Sequence, residues 1–169
     1  MSGFPSLEPA FTIQVKIQPP TAIGIAARGT QLMVTPMISG TVKSENSFTP
    51  VFNGEFVGQG NDYIYVDPDG KHLRLNAHGV IKTTDDATVY LNYTGIVDMT
   101  PALSSILSGE SESTVTPFGN SFTHLTFQTG NEKYASLETG VWVAAGHFIY
   151  VKGNPTIVEY KVSKVTYKD

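Results

Sequence analysis

The chain has 169 residues, with eleven Lys plus Arg against fifteen Asp plus Glu, four His and no Cys. One domain of this length buries about two thirds of the surface its unfolded form exposes and needs no staples. The missing cysteine removes disulfide frameworks, thiolate zinc sites and cysteine nucleophiles, and the even spread of charge, without a basic stripe, argues against nucleic acid as a partner.

Met1 to Phe11 lacks the basic start and long apolar run of a signal peptide, and no later apolar segment is long enough to span a bilayer. The expected location is therefore cytoplasmic, with no membrane partner. Few charges alongside many Gly, Thr, Tyr and Phe suit short strands and tight turns. Strand-like runs follow in order: Phe11 to Gln18, Gln31 to Val42, Gly54 to Val57, Asp62 to Val66, His72 to Thr83, Thr88 to Val97, Ser121 to Gln128, Val141 to Val151 and Ile157 to Tyr167. Nine runs so spaced predict one all-β domain over residues 1–169, an antiparallel barrel with an internal ligand cavity. The single helix candidate is Thr100 to Leu107, with Thr100 as cap, Pro101 in the first turn and Gly109 just past the end.

Turn chemistry sets which side chains share a face. Asp67-Pro68-Asp69-Gly70-Lys71 reads as a three-residue loop with Asp67 opposite Lys71, which puts Val66 opposite His72, Ile64 opposite Arg74 and Asp62 opposite Asn76. Around Thr84 to Ala87, Thr83 is placed opposite Thr88, so Val80 faces Leu91 and His78 faces Tyr93. One face then carries Asp62, Ile64, Val66, Arg74, His78, Val80, Leu91 and Tyr93, apolar residues with a few convergent polar ones, as in a pocket wall. The other carries Leu73, Leu75, Ala77, Ile81 and Tyr90 and reads as core. The competing reading of the first face is an outer wall with scattered apolar residues.

On that face Asp62 and Arg74 come out diagonally placed, with His78 one step from Asp62. As an exposed ion pair Asp62 and Arg74 would stabilise little; in a cavity they and His78 form a proton-transfer set. His72 and His78 are about 20 Å apart along one strand and cannot share a metal, so neither a metal site nor any other cofactor is expected. Asp85 and Asp86 read as turn residues hydrogen-bonded to local backbone, not as a catalytic pair.

Five segments, Leu7 to Phe11, Ser39 to Val42, Gly58-Gln59-Gly60-Asn61-Asp62, Thr83 to Ala87, and Lys133 to Glu138 followed by Gly140, together resemble the domain-of-unknown-function 3237 family, in its fungal secondary-metabolism branch. The chain departs from the family at Ala87, where glycine is frequent, and at Ser136-Leu137-Glu138, where the family often has Trp-Leu-Asn. The resemblance implies a compact β-barrel and a cofactor-free cyclase that adds a phenol across a prenyl alkene to give a cyclic ether. Its substrate would be a small aromatic or prenylated metabolite. In that reading Asp62 or His78 is the base, Arg74 stabilises phenolate and Tyr93 stacks on the substrate, with Tyr65, Tyr90, His124 and Trp142 as further substrate-binding candidates. The alternative is a non-catalytic, lipocalin-like binder of a small aromatic or apolar metabolite; whether the chain forms a homo-oligomer is left open.

Overall fold

A computed structural model describes residues 3–58 and 60–167. Gln59, inside the Gly58 to Asp62 motif, lies outside the described residues, as do Met1, Ser2, Lys168 and Asp169. The strands are β1 (Ser6–Ile17), β2 (Thr21–Gly24), β3 (Gln31–Ser44), β4 (Gly54–Phe56), β5 (Gly60–Val66), β6 (His72–Thr83), β7 (Thr88–Asp98), β8 (Thr114–Val115), β9 (Ser121–Thr129), β10 (Trp142–Tyr150) and β11 (Thr156–Thr166). Helix α1 (Pro101–Leu107) and a 3-10 segment over Glu132–Leu137 interrupt them. Thr100 caps α1 as expected, accepting the Leu103 N–H at 3.2 Å. The short edge strands β2 and β8 and the 3-10 segment have too few residues to show a period in sequence.

The pairings close on themselves. β1 pairs with β11, followed round the ring by β10, β9, β7, β6, β5 and β3, and β3 pairs back with β1, all antiparallel. β4 bridges β3 and β6 where β5 has not yet begun. Closure removes the exposed edges that a flat sheet of these strands would present.

Alternation then sorts the side chains. Ile13, Val15, Leu91, Ile81, Leu125, Val158 and Val162 point inward into one continuous core. The end bearing the 84–86 turn and the 3-10 segment is filled by rings: Phe11 packs on Phe48, Phe52, Phe127 and Trp142 with centroids 5.3 to 5.9 Å apart. α1 covers the opposite end, burying Leu103 and Ile106 near Val97, Ser121 and Phe148.

Both hairpin registers differ by one residue from the expected ones. The first loop is one residue longer: the Asp67 N–H donates to the His72 carbonyl, the Gly70 N–H closes a turn on the Asp67 carbonyl, and Asp69 accepts the Lys71 N–H. Val66 therefore pairs with Leu73, Tyr65 with Arg74 and Asp62 with Ala77. The second loop is one residue shorter. Asp86 takes a positive φ of 70°, the Thr83 N–H donates to the Ala87 carbonyl, and Lys82 pairs with Thr88, Val80 with Tyr90 and His78 with Asn92. The two slips cancel for β7, so β6 alone is turned over relative to the expected face.

Candidate functional site

Because of that inversion, the expected trio does not converge. Asp62 and Tyr93 face the barrel interior, whereas Arg74 and His78 stand on its outer wall. Arg74 is half exposed and forks onto Asp67, Nε to Oδ1 at 3.0 Å and Nη2 to Oδ2 at 2.7 Å, which holds the Asp67 carboxyl below its ordinary value. His78 Nδ1 lies 2.6 Å from the Tyr90 hydroxyl, flanked by the Tyr63 ring. Tyr65 is on the outer wall with them, on the face opposite Asp62. Trp142 is inside, but its indole N–H donates to the Leu137 carbonyl at 2.9 Å and its ring packs on Phe11, Phe48 and Phe127, so it is core. His124 lies outside on β9 and lines a groove described below.

Three ionisable side chains meet inside: Asp62 on β5, Tyr93 on β7 and Tyr160 on β11. Tyr160 alternates with the inward Val158 and Val162, a period-2 signal that would have placed it inside. The phenol rings of Tyr93 and Tyr160 are 5.2 Å apart at 54°, and the Tyr93 hydroxyl donates to Met37 Sδ at 3.7 Å. Thr35 pairs with Asp62 across β3 and β5. Gly146 leaves the room for this packing, since a Cβ there would lie 2.7 Å from the Tyr160 ring and 2.9 Å from Ser121 Oγ.

The electrostatics follow from burial. Asp62 is 6% exposed. Loss of solvent pushes its carboxyl up from an ordinary value of 3.8 to about 7, against the opposing pull of one backbone hydrogen bond from Asn76. Burial also drives Tyr93 well above a free phenol, and the Tyr160 and Asp62 charges add to it. Tyr160 is raised by burial and then by Asp62, with the Tyr93 and Ser121 hydroxyls pulling it back. Ser121 Oγ itself makes no hydrogen bond of good geometry. The result is a carboxyl poised to exchange a proton near neutral pH between two phenols that stay protonated. Among the described residues no group of His, Asp and Glu is arranged to hold a metal ion.

A family model described as "Protein of unknown function (DUF3237)" matches residues 5–165. The chain belongs to this family. Solved structures similar to this chain share its fold. A conserved protein of unknown function from Rhodopseudomonas palustris is 23% identical, with 97% of this chain and 99% of that chain covered and a TM-score of 0.77. A beta-barrel like protein from Acinetobacter baumannii AYE is 20% identical over 98% and 99%, with a TM-score of 0.74. An enzyme from Penicillium herquei is 16% identical over 95% and 94%, with a TM-score of 0.61. At these identities the likeness is one of fold. No curated protein matches the chain. No helix of the described residues is long and apolar enough to cross a membrane.

Proposed function

We propose that this DUF3237 chain is a cofactor-independent cyclase of natural-product biosynthesis, closing a cyclic ether by adding a phenol to a prenyl alkene. The observation that carries this reading is the Asp62 carboxyl, buried and raised to about 7 between Tyr93 and Tyr160. Groups tuned to the working pH by desolvation are characteristic of acid–base sites.

The reaction is an isomerisation, so one carboxyl can serve both halves. Protonated Asp62 gives its proton to the CH carbon of the prenyl alkene, forming a C–H bond and a tertiary cation at the dimethyl carbon. The π faces of Tyr93 and Tyr160 and the carboxylate left on Asp62 stabilise that cation, and the dry surroundings keep water from capturing it. The phenol oxygen attacks it, the C–O bond forms, and the phenol proton passes to the Asp62 carboxylate, which restores the protonated acid. No electrons are exchanged with an external partner. The likeness of fold to an enzyme from Penicillium herquei supports a catalytic use of the barrel.

The test is incubation with an ortho-prenyl phenol in D2O. The expected product has one deuterium on the ring methylene that was the alkene CH, and Asp62→Asn slows its formation about a hundredfold to ten-thousandfold. Cyclisation at an unchanged rate in Asp62→Asn would remove Asp62 from the chemistry.

A further inference from the structure

The outer wall of β7, β9 and β10 carries a feature that the interior site does not use. Following the pairings across the sheet, Arg74, Ile96, Phe122, Ala145 and Lys161 form one transverse row over five strands. In the next row His124 pairs with Val143 and Val143 with Ser163. These residues line a groove of about 1020 Å³, a size that suits a drug-sized ligand. Its floor is apolar and open: Phe122 is 59% exposed and Ile96 43%. Large neighbouring apolar side chains left in water on a closed barrel are a cost to solubility, and they usually mark a binding surface.

We propose that this groove binds a flat aromatic ligand bearing an anionic group, with the rings on Phe122, Ile96 and Val143 and the anion toward Lys161. Two strand spacings separate Phe122 from Lys161, about 10 Å, which is the length of a two-ring aromatic body. Lys161 Nζ is half exposed and has one hydroxyl partner, Thr12 Oγ1 at 2.9 Å, and a carboxylate only at 3.7 Å, Glu159 Oε1. Arg74 at the other end is oriented and neutralised by Asp67, and Asp98 lines that end as well, so the anion is directed to the Lys161 side. This site is independent of Asp62 and stands whether or not the cyclase reading does.

Two fluorescent probes with the same aromatic core test it on the full chain: 8-anilinonaphthalene-1-sulfonate, and uncharged N-phenyl-1-naphthylamine. Phe122→Ser is expected to weaken both about tenfold or more, and Lys161→Gln to weaken only the sulfonate, roughly threefold to tenfold. Ile23→Ser, at an exposed apolar site on β2, and Asp62→Asn should leave both unchanged. The proposal is overturned if Phe122→Ser changes neither affinity, if Lys161→Gln weakens the two probes alike, or if sedimentation shows a dimer that Phe122→Ser dissociates.

Discussion

The Asp62 carboxylate reaches into its own barrel wall, where Oδ1 accepts the backbone N–H of Asn76 at 2.9 Å. The β5–β6 ladder pairs Asn61 with His78 and Asp62 with Ala77 and resumes only at Tyr65 with Arg74, so a side chain satisfies a strand N–H where the ladder is open. That bond favours the ionised form, yet burial outweighs it and the carboxyl sits near 7.

This balance has a sign that can be measured. Between 3.8 and about 7 the folded state holds a proton that the unfolded chain has lost. Stability therefore falls as pH rises through that window and levels off above it, by a total on the order of 4 kcal/mol. Asp62→Asn keeps the shape and removes the titration. In urea melts it should lose most of this slope and be the more stable protein at pH 8. Parallel pH curves for the two proteins would contradict the assignment.

Gly146 matters for what it lacks. An added methyl would meet the Tyr160 ring and Ser121 Oγ at under 3 Å in a packed interior. Gly146→Ala should cost about 1–3 kcal/mol, the usual range for overpacking. A variant as stable as the parent would show that Tyr160 can move aside, and with it one wall of the Asp62 site.

At the other end of the barrel Asp85 is a structural hub, held by side chains rather than by the local backbone expected of a turn residue. It accepts the Thr83 hydroxyl at 2.6 Å and the Tyr134 hydroxyl at 2.7 Å, and it pairs with Lys133. These hydrogen bonds, Lys133 first, hold its carboxyl well below the ordinary range. Tyr134 is buried against Phe52, so Tyr134→Phe should cost about 1 kcal/mol in a chemical melt. It should leave the Asp62 titration where it is. A shift of that titration would mean that the two ends of the barrel are coupled.

The barrel was legible because its strands alternate cleanly and Gly, Pro and Asp mark the turns; His72 to Thr83 was bounded to the residue. The site was only half legible. A side-chain period of two makes register the least forgiving inference, and turn composition does not count loop residues: Asp67 to Lys71 accommodates one more than read, Thr84 to Ala87 one fewer. Asp62 and Tyr93 were placed on one face because the two slips cancel between β5 and β7. Arg74 and His78, on β6 between them, were lost to the other side. His78→Ala should accordingly leave ring closure nearly unchanged while it breaks the contact with Tyr90. A loss as large as that for Asp62→Asn would bring His78 back into the mechanism.

The most direct measurement is a carbon-detected NMR titration of the Asp62 side-chain carboxyl in the full chain, with Asp62→Asn identifying the resonance. The account predicts a midpoint near 7, with no comparable step in the variant. A midpoint in the ordinary carboxylate range, near 4, would mean that the barrel interior does not hold Asp62 as a neutral-pH acid, and the proposed chemistry would lose its proton donor.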